Sequence, residues 1–213
     1  MNAAILFDSA EEDTSLNHPR LLGQELYTYA LKACYINSSI DRIFLLCKHT
    51  GAQPDVLRDI FIWQEEYDMH KQVTVLRGIR SVAQLWLHML QSKQDVPDVY
   101  VFHDIRFPMV TGEMIVHAAE AAREHGIFAF CGAQMGKGAD IWAENVSDLK
   151  YPVAVKADSH VLHCLEEPRQ ILKELFYQEP YLCENPKENI PVYNRREIER
   201  AERILQARRL RAG

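Results

Sequence analysis

The sequence lacks several features that would assign it to a particular class of protein. Its five cysteines lie far apart with no paired spacing, which argues against a zinc site and against a disulfide framework. No apolar run reaches about 18 residues and no basic segment precedes the first apolar residues, so neither a membrane helix nor a signal peptide is predicted. A net charge of -6 and the lack of a contiguous basic face before the last helix argue against nucleic-acid binding. We therefore expect a soluble, cytoplasmic protein with no nucleic-acid or membrane partner.

The sequence does contain enough apolar material for one sizeable core. Of its 213 residues, 47% are hydrophobic, and no repeat, low-complexity tract or linker divides the chain. We therefore expect residues 1–213 to form a single domain. The cysteines are expected to be reduced and mostly buried, because the cytoplasm keeps thiols reduced.

Short apolar strands alternate with amphipathic helices over about the first 130 residues. Strands are predicted at 3–7, 42–47, 72–76, 98–104 and 127–131, and helices at 21–37, 54–67, 81–92 and 111–125, the last with Gly126 as its C-cap. Beyond them we expect a strand at 151–156, a helix at 168–177, a polar connection at 181–188, an edge strand at 190–193 and a final helix at 195–211. This alternation predicts the α/β class with a doubly wound, mostly parallel sheet.

The strand that ends at Asp104 carries the most informative residues. Its apolar run stops at a charged turn that contains His103, Asp104 and Arg106, and Pro108 ends the extended segment. Because open α/β sheets bind ligands beyond the carboxyl ends of their strands, these side chains are expected at the rim of a crevice. The alternative is structural, with Asp104 capping the turn and Arg106 neutralising it.

Two groups of residues have side chains that could bind a metal or act as a nucleophile, but a structural role is favoured for both. His160, His163 and Cys164, with Asp158 nearby, could hold zinc, but a polar surface turn is favoured because further ligands are lacking. Cys131 ends a predicted strand and could be a nucleophile, but no histidine partner is visible in the sequence. A buried thiol is therefore the favoured interpretation of Cys131.

The segment 132–138 is the most glycine-rich part of the chain. Its three glycines and Lys137 follow a predicted strand and could bind an anion. The spacing of these residues does not meet the Walker pattern. A connection between elements is therefore favoured over a phosphate site.

Four segments carry a family pattern. They are Ala3-Ala4-Ile5-Leu6, the stretch 18–26 (HPRLLGQEL), the stretch 101–108 (VFHDIRFP) with AAREHG at 121–126, and 188–192 (ENIPV). In this order they resemble the methylerythritol-phosphate cytidylyltransferases and their ribitol-phosphate relatives. The resemblance covers most of the chain, is poor between residues 150 and 188, and implies the Rossmann-like fold of the nucleotide-diphospho-sugar transferases.

The resemblance implies an enzyme that moves the cytidylyl group of CTP onto a polyol phosphate, with magnesium between the phosphates. It implies catalytic roles for Arg20 and Arg106, and metal binding by Asp104 and Glu188. The nucleotide-binding residues that it implies are Ala3, Ala4, Gly78, Arg80, Ser81 and His103. It also implies a homodimer, although the dimerising arm after residue 140 is shortened.

The chain departs from the family where the triphosphate is bound. The loop at 7–17 contains no glycine and four carboxylates, whereas a phosphate cradle needs bare α-carbons so that backbone N–H groups can approach closely. Each carboxylate repels a triphosphate by roughly 1 kcal/mol at a separation of about 4 Å in water. Pro191 replaces the lysine of the closing motif, and Arg106 stands one residue earlier than the family's arginine.

Three functions are compatible with these observations. The first, which we favour because several phosphate-handling features are missing, is a non-catalytic descendant that acts as a binding or regulatory protein. The second is an active, magnesium-dependent nucleotidyltransferase that moves CMP from CTP onto a sugar-alcohol phosphate. The third is a transferase that uses another activated donor in the same crevice.

Overall fold

The computed structural model contains most of the predicted elements. It describes residues 1–8, 20–47, 56–67, 70–77, 84–85, 88, 91, 95–131, 149–157, 181–184 and 189–212. The strands in this part are β1 (Asn2–Phe7), β2 (Arg20–Leu21), β3 (Gln24–Glu25), β4 (Arg42–Cys47), β5 (Gln72–Arg77), β6 (Val99–Asp104), β7 (Ile127–Cys131), β8 (Leu149–Lys156) and β9 (Tyr181–Glu184). The helices are α1 (Leu26–Tyr35), α2 (Val56–Tyr67), α3 (Gly112–His125) and α4 (Arg195–Ala212).

The main sheet is built around β1. Its strands follow the order β5-β4-β1-β6-β8-β7-β9. β1 pairs in parallel with β4 on one side and with β6 on the other, and β4 pairs in parallel with β5. The chain therefore first extends the sheet in one direction and later returns to the opposite side of β1. Such a reversal opens a crevice at the carboxyl ends of the two strands, here β1 and β6.

One strand runs against the others. β8 pairs antiparallel with both β6 and β7, and β9 pairs in parallel with β7. The mostly parallel sheet that the sequence predicts is thus confirmed, with one reversed strand. Because of this reversal, the amino-terminal part of β8, which contains Tyr151, lies beside the carboxyl end of β6.

The central strands are buried on both faces, as their nearly continuous apolar sequences predict. All residues of β1 and β6 are buried. The inner face of α3 contributes Met114, Ile115, Ala118 and Ala122, together with two further alanines. Burial of each large apolar side chain contributes about 1.5–3 kcal/mol, so this sheet is a rigid support for the residues at its edge.

A second apolar cluster joins the β2–β3 hairpin to α4. It consists of Leu21, Leu26, Met109, Ile190, Val192 and Ala201. The backbone N–H of Leu22 donates to the Glu202 carboxylate at 2.9 Å, and the Arg208 guanidinium donates to the Met109 carbonyl at 3.2 Å. The cluster holds the segment 189–192 in place next to the turn that follows β6.

α3 has both of its predicted caps. The Thr111 hydroxyl accepts a hydrogen bond from the backbone N–H of Met114 at 3.3 Å. Gly126 has a φ of 84° and its N–H donates to the Ala122 carbonyl at 2.8 Å, a backbone conformation that glycine adopts without strain.

Replacing Thr111 with alanine is expected to lower the free energy of unfolding by about 1 kcal/mol, because an N-terminal N–H of α3 loses its acceptor. Thr111→Ser keeps a hydroxyl and is expected to stay within about 0.5 kcal/mol of the unaltered protein. Urea denaturation of the two variants measures the difference, and equal losses in both would show that the hydroxyl is not the stabilising group.

Three predicted segments differ from the structure, and the first two are the start of α1 and the connection 181–188. α1 begins at Leu26 and not at Leu21, because Leu22 (φ 51°) and Gly23 (φ 80°) form the turn of the β2–β3 hairpin. The helical spacing that includes Leu22 therefore does not mark a helical turn, because Leu22 lies in the turn of this hairpin. The predicted polar connection 181–188 begins with β9, which extends the sheet beside β7.

The predicted edge strand at 190–193 is also wrong, since residues 189–192 have no regular secondary structure. Ile190 and Val192 are buried because they belong to the second cluster, so their alternation with Pro191 imitates a strand. Their segment is instead tied to the turn after β6, where the Val192 N–H donates to the Arg106 carbonyl at 2.8 Å.

Several predictions cannot be compared with the structure because they fall outside the described residues. These are the helix 168–177, the segment with Lys137, and Asp158, His160, His163 and Cys164. In the predicted helix 81–92, residues 84, 85, 88 and 91 are described and all are helical. None of the helices in the described ranges is both long and apolar enough to span a membrane.

Cys34 is the cysteine for which the structure supports a buried, reduced thiol. It is not in a disulfide and is fully buried in α1. Burial raises the pKa of its thiol to about 12, so the sulfur stays protonated and unreactive at neutral pH.

Candidate functional site

Charged residues follow directly after two neighbouring strands of the main sheet. Asp8 comes after β1, and Asp104 with Arg106 lies at the end of β6. The N–H of Ile105 donates to the Phe7 carbonyl at 2.8 Å and holds the two strand ends together. The structure therefore brings these groups to the crevice that the reversed strand order creates.

The Asp104 carboxylate is fully buried. Its Oδ1 accepts a hydrogen bond from the backbone N–H of Arg106 at 3.0 Å. Its Oδ2 lies 3.4 Å from the hydroxyl of Tyr193, which donates to it. Both carboxylate oxygens are thus in contact with protein groups. The Oδ1 contact is the turn cap that the structural alternative predicts for Asp104.

The Arg106 guanidinium is also buried, with 3% of its side chain exposed. Its Nε and Nη2 donate to the two carboxylate oxygens of Asp8 at 2.7 Å and 2.9 Å. Its Nη1 donates to the Val192 carbonyl at 3.4 Å. The cation predicted at this rim is present, but its main counter-charge is Asp8, and the sequence alone did not pair these two residues.

His103 lies in β6 and is fully buried. Its Nε2 is 3.3 Å from the Phe107 carbonyl, so the neutral ring donates through Nε2, and Nδ1 has no hydrogen-bond partner among the described residues. Burial lowers the pKa of His103 to about 4. His103 is therefore neutral at physiological pH and supports the turn through Phe107, and its nucleotide contact stays a prediction.

Tyr193 covers Asp104 and is itself held by a helix cap. The backbone N–H groups of Tyr193 and Asn194 donate to Glu197 Oε2 at 2.7 Å and 3.2 Å. In return, the Glu197 N–H donates to Asn194 Oδ1 at 3.0 Å. This reciprocal cap fixes the start of α4 and the position of Tyr193, and the Asn-x-x-Glu spacing in the sequence is the signal that could have revealed it.

Tyr151 forms the wall of the site on the β8 side. Its ring packs against Phe7 and Phe107, with ring centroids 5.3 Å and 5.5 Å away. Burial, and to a lesser extent the charge of Asp104, raises the pKa of Tyr151 well above its usual value, so its hydroxyl stays neutral. Asn189 is buried behind it and donates to the Tyr151 carbonyl at 2.9 Å.

The structure describes three of the other predicted site residues. Ala3 and Ala4 are fully buried in β1 and paired on both sides within the sheet. Arg20 lies on the exposed hairpin, where its guanidinium is 3.4 Å from Glu25. Four predicted residues, Gly78, Arg80, Ser81 and Glu188, lie outside the described residues.

The described carboxylates do not fit a divalent cation in this arrangement. Magnesium takes carboxylate and phosphate oxygens with open geometry around them, whereas both oxygens of Asp104 are covered and both oxygens of Asp8 bind Arg106. In the part of the chain that the structure describes, no group of three or more His, Cys, Asp or Glu residues could hold a metal ion. Asp104 thus reaches the predicted place without the accessibility that a metal ligand needs.

Comparison with known proteins identifies the fold. No family model matches the sequence, and no curated protein matches it. A 4-diphosphocytidyl-2C-methyl-D-erythritol synthase from Anaerococcus prevotii matches in structure, with a TM-score of 0.66 over 96% of each chain and 15% identity. The fold is that of the cytidylyltransferases. The resemblance seen in the sequence is thereby confirmed at the level of the fold.

Two further structures share this fold. The 2-C-methyl-D-erythritol 4-phosphate cytidylyltransferase of Thermus thermophilus is 13% identical, with a TM-score of 0.61 over 95% of this chain and 98% of its own. A Mycobacterium tuberculosis protein in complex with manganese is 11% identical, with a TM-score of 0.58 over 95% and 97%. Coverage of at least 95% of each chain shows that the likeness is not confined to one part of the fold.

Proposed function

We propose that the protein is a diverged cytidylyltransferase homologue that has lost nucleotidyl transfer and acts as a binding or regulatory protein. The crevice between β1 and β6 remains its binding site. The observation that carries this proposal is the burial of Asp104, whose two oxygens are occupied by the Arg106 N–H and the Tyr193 hydroxyl.

The metal step of the family reaction depends on that carboxylate. A cytidylyltransferase of this kind needs an acidic residue that shares magnesium with the phosphates, because the metal neutralises charge as pyrophosphate leaves. Asp104 is buried beneath Tyr193, whose backbone N–H donates to Glu197, so the carboxylate at the crevice is not open to a metal ion. The cap on α4 keeps Tyr193 over Asp104 with hydrogen bonds that also satisfy the N-terminal N–H groups of the helix, so no additional hydrogen bonds are required.

The sequence around the site supports the same proposal. The loop after β1 offers no glycine from residue 8 to residue 17, so backbone N–H groups cannot approach a triphosphate as in a glycine-rich loop. Pro191 supplies neither charge nor donor in the segment that contacts the turn after β6. The buried cation at the crevice, Arg106, is neutralised by Asp8.

Calorimetric titration with CTP, other nucleoside triphosphates and Mg²⁺ tests the proposal, with Asp104→Ala as the control variant. We expect no saturable, magnesium-dependent response to any triphosphate, and the same thermogram for both proteins. A saturable CTP response that requires Mg²⁺ and disappears in Asp104→Ala would refute the proposal. The Anaerococcus prevotii synthase in the same buffer serves as the positive control.

The second candidate is an active nucleotidyltransferase that uses magnesium, CTP and a polyol phosphate. It is supported by the position of Asp104 at the end of β6 and by the manganese bound to the Mycobacterium tuberculosis protein of the same fold. It requires Tyr193 to leave Asp104, and Glu188 or another carboxylate to complete the site. Magnesium titration of the unaltered protein distinguishes the two candidates, because only the second predicts binding there. The variant Tyr193→Ala then reports whether removing the hydroxyl from Asp104 exposes a metal site.

A homodimer is part of the proposal because the resemblance implies one. Light scattering coupled to size-exclusion chromatography measures the mass of the protein in solution. A mass of twice 24.6 kDa is expected, and a monomer at all concentrations would remove the dimer from the proposal while leaving the argument about Asp104 untouched.

A further inference from the structure

The ion pair between Asp8 and Arg106 has the geometry of an arginine bound to an anion. Two parallel hydrogen bonds of 2.7 Å and 2.9 Å join Nε and Nη2 to the two oxygens of one carboxylate. A guanidinium binds two oxygens of a phosphate group in the same bidentate manner. The side chain of Asp8 therefore occupies a position that a phosphate could also take.

The two partners differ in how firmly they are held. Arg106 has 3% of its side chain exposed. Its backbone N–H donates to Asp104 Oδ1. Its backbone carbonyl accepts from the Val192 N–H, and its Nη1 donates to the Val192 carbonyl. Asp8 has 29% of its side chain exposed and follows the last residue of β1. The cation is thus fixed in the protein, and the carboxylate is the partner that solvent reaches.

The fixed cation needs a counter-charge at all times. A buried, unpaired guanidinium is strongly unfavourable, so the pair cannot open unless another anion replaces Asp8. Such a replacement is an exchange of one bidentate partner for another and leaves the buried charge neutralised. The position of the pair, at the carboxyl ends of β1 and β6, is where a ligand of an open α/β sheet lies.

We propose that Asp8 is an internal competitor that occupies Arg106 until a ligand with a phosphate group displaces it. This inference rests on the proposed function in one respect, namely that the crevice binds a ligand, and it names the chemical class of that ligand. Arg106 selects a phosphate group, and Asp8 sets the concentration at which binding begins.

Phosphate titration of Asp8→Asn tests the inference. Asparagine keeps the size of the side chain and removes its charge. Arg106 then has no carboxylate that competes with phosphate, and its charge is neutralised only when an external anion binds. A tethered group competes at an effective concentration in the millimolar range, and its removal is expected to tighten the binding of inorganic phosphate by about tenfold or more. The readout is the rise in melting temperature with phosphate concentration, from which the dissociation constant follows.

Glu199→Gln is the matched control. It also removes one carboxylate from an arginine, because Arg195 Nε lies 3.4 Å from Glu199 on the exposed face of α4. It therefore changes the net charge equally, and its phosphate response is expected to equal that of the unaltered protein. The double variant Asp8→Asn, Arg106→Gln is expected to lose the enhanced response. Equal phosphate responses of Asp8→Asn and Glu199→Gln would overturn the inference.

Two organic probes distinguish the sources of the phosphate group. Ribose 5-phosphate represents a polyol phosphate, and CTP without metal represents a nucleotide. Tighter binding of the first to Asp8→Asn assigns the site to sugar-alcohol phosphates, and tighter binding of the second assigns it to nucleotides. No binding of either probe or of inorganic phosphate would overturn the inference.

A measurement on the unaltered chain makes the test independent of how well the variant folds. The Nε–Hε resonance of Arg106 in a nitrogen-proton NMR spectrum reports the exchange of one anion for another. Phosphate at concentrations well above the millimolar range of a tethered competitor is expected to shift this resonance and to leave that of Arg195 unchanged. An Arg106 resonance that does not move would overturn the inference.

These outcomes are separate from those of the proposed function. Magnesium-dependent turnover of CTP would refute the loss of catalysis whether or not Asp8 competes with phosphate. A phosphate-insensitive Asp8→Asn would refute the competition even if no CTP is turned over.

Discussion

Replacing Asp8 with asparagine is expected to lower the free energy of unfolding by about 3 kcal/mol in phosphate-free buffer. The substitution leaves the Arg106 guanidinium buried without its bidentate counter-charge. Breaking a fully buried pair costs about 3–5 kcal/mol, and the lower end applies because Asp8 is partly exposed. Urea denaturation followed by circular dichroism measures the loss.

The control for this prediction is Glu199→Gln, which breaks an exposed arginine pair on α4. Exposed pairs contribute about 0–1 kcal/mol, so this variant is expected to be nearly as stable as the unaltered protein. If Asp8→Asn were no less stable than Glu199→Gln, the Asp8–Arg106 pair would not stabilise the turn after β6, and the assignment of Arg106 as a buried cation would be contradicted.

Stability is expected to fall as the pH is lowered from 7 to 4.5, and His103 is expected to account for about 2 kcal/mol of that loss. Burial lowers the pKa of His103 to about 4 in the folded protein, against 6.5 for an exposed histidine. Between these values the unfolded chain binds a proton that the folded chain does not bind, so that stability decreases as the pH falls. The contribution is fully present above pH 6.5.

The variant His103→Gln removes this titration and keeps a side-chain donor for the Phe107 carbonyl. Its stability is expected to change with pH by about 2 kcal/mol less than that of the unaltered protein over the same range. His125→Gln, on the exposed end of α3, is expected to keep the full pH dependence. Parallel pH profiles for all three proteins would show that His103 is accessible to protons in the folded state.

The parts of the fold that could be predicted from the sequence are those with strong local signals. β4 and β6 each contain an apolar run of four or more residues, and each begins and ends within one or two residues of the prediction. α3 has a threonine before its first turn and a glycine after its last, and both caps are present. The reversed direction of β8 was not predicted, because strand direction depends on tertiary pairing and not on local sequence.

The wrong assignments share one cause. The hairpin at 20–25 and the segment 189–192 bury apolar residues against each other and against α4. Burial of this kind at Leu21 imitates the start of a helix, and burial of Ile190 and Val192 imitates a strand. Periodicity reports which residues are buried, and it reports secondary structure only when the buried surface is a regular element.

The candidate site could be predicted in part. The position of Asp104 and Arg106 at the end of a central strand follows from the sequence, because open α/β sheets place functional groups there. The pairing of Arg106 with Asp8, which is 98 residues away in the chain, and the cover that Tyr193 forms over Asp104 depend on which strands are neighbours. The sequence could place these residues at strand and helix ends, but it could not pair them.

The release of pyrophosphate from CTP tests the central claim most directly, namely that the cytidylyltransferase fold is kept while transfer is lost. The unaltered protein and Asp104→Ala are incubated with CTP, Mg²⁺ or Mn²⁺ and a panel of polyol phosphates, and pyrophosphate is measured with a coupled enzyme. We predict no release above the protein-free blank for either protein. Metal-dependent release by the unaltered protein that is abolished in Asp104→Ala would contradict this account and would make Asp104 a metal ligand.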